Sequence, residues 1–129
     1  MNEEKKRILV VDDDTDILRV FKIILEKEGY IVETAETGWG ALEKIKNEKF
    51  NVLLIDVKLP DMDGTEILRK VANDSETIKI IVTGFSSDEV GKKAADYGAD
   101  DFLVKPVKPE ELITTVRDRL ITKEQENQS

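Results

Sequence analysis

Residues 51–64 read NVLLIDVKLPDMDG, and the fold turns on the run Val52-Leu53-Leu54-Ile55 near their start. A strand that is apolar at every position has no solvent face, so it belongs to a sheet covered on both sides, as parallel sheets are. The run ends directly in Asp56. A carboxylate at the end of a buried strand must meet water, a cation or a reaction, and the question is which of these Asp56 meets.

Working outward, further short apolar runs stand at Ile8–Val11, Tyr30–Thr34, Ile78–Val82 and Asp101–Val104. Helical patterns separate them. Ile17, Phe21, Ile24 and Leu25 recur at helical spacing and predict a helix over 15–28. Ala41, Leu42 and Ile45 predict a second, capped by Thr37. Ile67, Leu68 and Val71 predict a third after Gly64. A fourth, over 87–97, carries Val90, Ala94 and Tyr97 on one side but holds Gly91 inside, which costs about 1 kcal/mol relative to alanine. The fifth opens at Pro109, a residue suited to a first helical turn, and carries Leu112, Ile113, Val116 and Leu120. Five such strand–helix units imply a parallel sheet with helices on both faces. The simplest arrangement is an α/β, flavodoxin-like, doubly wound sheet in the order 2-1-3-4-5. One domain is expected over residues 1–121, followed by a polar, frayed tail, TKEQENQS, over 122–129.

The composition removes whole classes of chemistry. A chain of 129 residues has the size of one domain, and a net charge of −8 argues against nucleic acid as a direct partner. It contains neither cysteine nor histidine. Disulfides, thiolate chemistry, histidine triads and imidazole-ligated metals are therefore excluded. The amino-terminal stretch MNEEKKRILVV is too short in apolar residues for a signal peptide or a membrane span, so a cytoplasmic protein without membrane insertion is expected.

In open α/β sheets, ligands bind beyond the carboxyl ends of the strands. There the sequence places Asp12, Asp13 and Asp14 after the first strand, Asp56 after the third, Thr83 after the fourth and Lys105-Pro106 after the fifth. Each has an ordinary structural alternative. Asp14 suits a helix cap, and Asp61 and Asp63 suit a turn with Gly64 at positive φ. Thr83 suits a loop hydroxyl bonded to its own backbone, Lys105 a solvated surface lysine, Phe102 the core, and Trp39 half-buried packing. The set says more than its members. Carboxylates about 4 Å apart repel by roughly 1 to 4 kcal/mol, so they shift their pKa values or recruit a cation. Oxygen donors alone favour Mg²⁺, with Mn²⁺ as a second candidate. A lysine and a hydroxyl opposite are what a phosphoryl group needs, and a carboxylate can be its acceptor.

ILVVDDD at 8–14, LLIDVKLPDMDG at 53–64, IIVTGF at 80–85 and DDFLVKP at 100–106 together resemble the four signatures of response regulator receiver domains, chemotaxis-regulator-like, over residues 5–121. The resemblance implies Asp56 as phosphoacceptor. It implies a Mg²⁺ site from Asp13, Asp56 and the backbone carbonyl of Lys58, with Asp12 acting through water. It further implies Lys105 as partner of the acceptor and its phosphate, Thr83 and Phe102 as the switch pair, and a cis Lys105–Pro106 peptide. The partners implied are a sensor histidine kinase or histidine phosphotransfer protein and a downstream protein target. Lys58 and Phe85 would flank the path of attacking water and slow self-dephosphorylation. The rival reading, a Mg²⁺-dependent phosphohydrolase with an aspartate nucleophile, wants a second aspartate where Lys58 stands. A flavin-carrying flavodoxin would want a Ser/Thr/Gly-rich loop where the three aspartates stand. A receiver-like scaffold that is never phosphorylated would usually have lost part of the residue set.

Overall fold

In the computed structural model, residues 4–128 are described; residues 1–3 of the expected domain and Ser129 of the expected tail lie outside them. Strands and helices alternate: β1 Arg7–Val11, α1 Thr15–Lys27, β2 Ile31–Ala35, α2 Gly38–Asn47, β3 Val52–Ile55, α3 Thr65–Lys70, β4 Ile78–Thr83, α4 Asp88–Asp96, β5 Asp101–Val104 and α5 Pro109–Gln128. The sheet is parallel in the order β2-β1-β3-β4-β5, as expected.

Alternation along the strands divides the core. Ile8, Val10, Val52, Leu54, Ile80 and Val82 face Leu18, Phe21 and Leu25 of α1 and Leu112 and Val116 of α5. Leu9, Val11, Leu53, Ile55 and Ile81 face Ala41 of α2, Ile67 and Leu68 of α3 and Ala94 of α4. Burying both faces is what makes β3 and the Ile8–Val11 part of β1 read as unbroken apolar runs. β4 is buried as well but admits Lys79, whose Nζ donates to Asp74 O.

Three readings are corrected. The residues expected to fray continue α5 as far as Gln128, because Lys123 Nζ donates to Ser75 O at 2.8 Å and Asn127 Nδ2 to Glu76 Oε2 at 3.2 Å. Trp39 is 65% exposed rather than half-buried. Gly64 has φ −58°, an ordinary helical value; the positive-φ glycines are Gly29 and Gly98. Asp14 does cap α1, accepting from Asp16 N and Ile17 N. Smaller shifts move β2 by one residue and extend β4 to include Thr83.

At the end of the sheet opposite to the strands' carboxyl termini, Asp74 closes the α3–β4 turn. Burial raises its carboxyl, but donors from Thr77 Oγ1 and from the backbone N–H groups of Glu76 and Thr77 outweigh that and hold it below its ordinary value. A carboxyl lowered on folding adds stability above its unfolded pKa of about 3.9, and that stability is lost as pH falls through the folded value. Urea midpoints should therefore fall below about pH 4, and the difference between wild type and Asp74→Asn should shrink across the same interval.

Candidate functional site

Register assembles the site. Val11 pairs with Ile55, so the next residues, Asp12 and Asp56, leave adjacent strands side by side. Asp56 N donates to Val11 O at 2.9 Å, which carries the ladder one step past the strand ends. Thr83 pairs with Val104, and Lys105 N donates to Thr83 O at 3.0 Å, so the lysine turns in from the next strand. The Lys105–Pro106 peptide is cis.

Asp12, Asp13 and Asp56 each offer a carboxylate oxygen, and these atoms lie within 4.8 Å of one another. Asp12 and Asp56 are buried, at 2% and 6% exposure, while Asp13 is open to solvent. Lys105 Nζ bridges the buried pair, 2.6 Å from Asp12 Oδ2 and 2.9 Å from Asp56 Oδ2. Burial pushes the Asp12 carboxyl above its usual value, against the lowering effect of Lys105 and of the Asp14 N–H. Burial would lower the Lys105 ammonium, but hydrogen bonds to the two aspartates more than offset it and hold the group above its usual value. The donor set is all oxygen, with one carboxylate open to solvent. It fits a hard divalent cation and offers nothing to a soft one.

Lys105→Met should therefore destabilise the protein in the presence of EDTA by on the order of 3 kcal/mol, because two buried carboxylates lose their shared cation. Urea unfolding of the two proteins measures this, and an unchanged midpoint would mean that the bridge contributes nothing.

The other expected residues converge on the same end of the sheet. Thr83 is fully buried, and its Oγ1 accepts the Phe85 N–H at 3.1 Å. Phe102 is partly buried and packs on the α2/α3/α4 side of the core. Lys58 N donates to Asp56 Oδ1 at 3.3 Å, and Lys58 Nζ lies 4.1 Å over the Phe85 ring. Asp13, Asp56, Lys58, Leu59, Pro60 and Phe85 line an open cleft of about 370 Å³.

Tertiary contacts give the aspartates of LPDMDG a larger role than turn formation. Asp61 accepts from Gly38 N and Trp39 N, both at 2.8 Å. Asp63 accepts from Thr65 N at 2.9 Å and Thr65 Oγ1 at 2.7 Å, and lies 3.6 Å from Lys93 Nζ of α4. No local signal could have marked the Asp61 contacts, since the partners lie 22 and 23 residues away. Gly64 is needed for close approach: a Cβ there would lie 1.9 Å from the carbonyl oxygen of Asp56.

The four signatures thus meet at one end of one sheet, and a sequence profile of the response regulator receiver domain matches residues 8–117. The chain belongs to the response regulator receiver family. Its relatives include the response regulator ArlR of Staphylococcus saprophyticus, 38% identical over 122 residues, which cover 94% of this chain and 55% of that protein. ArlR of Staphylococcus aureus is 38% identical over 112 residues, covering 86% and 51%. This receiver chain therefore spans about half the length of the curated relatives it matches. Among solved structures, a CheY-like receiver domain protein from Methanospirillum hungatei superposes with a TM-score of 0.92 at 48% identity, covering 95% of this chain and 99% of that one. The BeF3-activated DrrB receiver domain superposes at 0.84 and 38% identity, covering 91% and 98%. The protein is accordingly a signalling domain of two-component systems, and no helix among the described residues is long and apolar enough to cross a membrane.

Proposed function

We propose that this receiver domain accepts a phosphoryl group on Asp56 from a phosphohistidine of a sensor histidine kinase or histidine phosphotransfer protein. The reaction is Mg²⁺-dependent and cytoplasmic, and the phosphorylated form signals to a protein partner. The observation that carries this reading is a 6%-exposed Asp56 carboxylate in contact with the Lys105 ammonium at 2.9 Å, beside two further carboxylates. With no histidine of its own, the chain needs a separate donor.

Asp13, Asp56 and the Lys58 carbonyl would hold Mg²⁺, with Asp12 joining through water; the bound ion would neutralise charge on the transferring phosphoryl group. Asp56 supplies the nucleophilic oxygen. Lys105, shared between Asp12 and Asp56 at rest, follows the developing charge onto a phosphoryl oxygen. Thr83 Oγ1 accepts the Phe85 N–H, which directs its own proton elsewhere, and a phosphoryl oxygen is the new acceptor. The product carries about −2 charge where the carboxylate carried −1. Drawing Thr83 towards that charge vacates space that Phe102 fills, and this biases a pre-existing equilibrium. The element expected to move is α4, which has Gly91 inside it.

Incubation with acetyl phosphate and MgCl₂, or with a phosphorylated sensor kinase, should add one phosphoryl group to the peptide containing Asp56, and EDTA should prevent it. Label on another residue, or label indifferent to EDTA, would overturn the reading. The phosphohydrolase alternative is disfavoured because the position of its acid/base is taken by Lys58, stacked on Phe85. Both residues line the cleft beside Asp56, where they would flank the path of an attacking water. The phosphoprotein should therefore persist for minutes or longer with Mg²⁺, and Lys58→Ala combined with Phe85→Ala should shorten its half-life severalfold. A wild-type half-life of seconds would contradict this.

A further inference from the structure

The first turn of α2 leaves backbone N–H groups without partners inside the helix. Thr37 Oγ1, the side chain of the helix's own cap, takes Gly40 N at 2.9 Å. The Gly38 and Trp39 N–H groups are taken by Asp61, which belongs to the loop between β3 and α3. That loop also carries Asp56 at its start and Lys58 two residues on. Within itself it is closed by the Lys58–Asp63 bridge and by Gly64 N donating to Val57 O at 2.6 Å. Met62 packs its side chain against Gly38. Asp61 is the polar fastening of the loop to α2, made by a charged acceptor on two donors at a helix N-terminus, which is the strong form of such a bond. The two backbone donors hold its carboxyl below the ordinary value against a smaller effect of burial, so it stays ionised at neutral pH.

We propose that Asp61 is a positioning residue for the metal-dependent acceptor site: by tying the β3–α3 loop to α2 it holds the Lys58 carbonyl and the Asp56 carboxylate in ligating position. The inference rests on the Mg²⁺ reading given above. Asp61 touches no reacting atom; it acts through the loop, as groups behind a metal ligand commonly do.

The test is calorimetric titration of the full chain with MgCl₂, together with emission from Trp39, the single tryptophan. Asp61→Ala should weaken Mg²⁺ binding about threefold to tenfold, at or below the low end for residues behind a ligand. Asp61→Asn, which keeps an acceptor oxygen, should restore part of the loss. Thr37→Ala removes the other cap of the same helix without touching the loop; it should lower thermal stability and leave Mg²⁺ affinity unchanged. Trp39 emission should shift in Asp61→Ala with or without metal. Wild-type Mg²⁺ affinity in Asp61→Ala, equal weakening by Thr37→Ala, or unmoved Trp39 emission would each overturn the proposal. A wild-type protein that binds no Mg²⁺ would overturn the metal reading itself, and this inference with it.

Discussion

Asp56→Asn is expected to abolish phosphoryl labelling from acetyl phosphate or a phosphorylated kinase while leaving the fold in place. An amide oxygen is a poor nucleophile, and the substitution also removes one of the three clustered carboxylates. The structural cost is small because the terms oppose one another. Lys105 loses its 2.9 Å contact with the Asp56 carboxylate but keeps the 2.6 Å contact with Asp12. The amide oxygen of the substituted side chain can still accept the Lys58 N–H, and the backbone bond from position 56 to Val11 is untouched. Against the lost ion pair stands relief of repulsion among carboxylates, worth roughly 1 to 4 kcal/mol per pair about 4 Å apart, depending on the effective dielectric. The net change in metal-free stability should fall within about 1 kcal/mol. Unfolding then cannot explain a lost label, so urea midpoints measured beside the labelling make the result decisive. Label that persists in a folded Asp56→Asn protein would move the chemistry to another residue.

What is legible in the chain, and what is not, follows from the range of the forces involved. β3 and the Ile8–Val11 part of β1 announce themselves because burial on both faces leaves no position for a polar residue to blur the pattern. β4 is legible despite its buried Lys79 because Ile78, Ile80, Ile81 and Val82 surround it. The meeting of Asp12, Asp56, Thr83 and Lys105 is legible as well, because parallel order and strand register place the residues after each strand at one edge. The exposure of Trp39 is not, because it depends on where α2 meets the β3–α3 loop, a tertiary matter. The helical state of residues 122–128 is hidden too: polar composition suggests fraying, whereas Lys123 and Asn127 find partners on the α3–β4 turn. The Lys105–Asp12 bond, shorter than the expected one to Asp56, also depends on distances between side chains that no spacing rule supplies. Gly64 is the most instructive case. A glycine in a DG turn suggests left-handed backbone, but here its value lies in lacking a side chain where two segments nearly touch.

That reading of Gly64 makes Gly64→Ala the substitution with the largest effect outside the carboxylates. Alanine accepts φ −58° and ψ −25° readily, so local conformation is no obstacle. The obstacle is its Cβ, which would lie 1.9 Å from Asp56 O, 2.8 Å from Asp56 C and 3.0 Å from Ile55 Cγ2. The two nearest atoms are backbone of the acceptor residue itself, and they cannot rotate away as the end of a flexible side chain could. Either the loop lifts off, breaking the Gly64 N to Val57 O bond, or Asp56 is pushed out of line with Lys105. The first course should cost about 3 kcal/mol or more, in the range of backbone strain and overpacking. The second should slow phosphoryl transfer by about 10²-fold, since displacements near 1 Å cost that much. Gly91→Ala is the internal comparison. Nothing lies within 4 Å of a Cβ there, and the site is inside α4, so it should stabilise the protein by about 0.5–1 kcal/mol. Two glycine-to-alanine changes in one small domain are thus expected to have opposite signs. Similar urea midpoints and similar labelling rates for both would mean that the β3–α3 loop does not press on the acceptor at all.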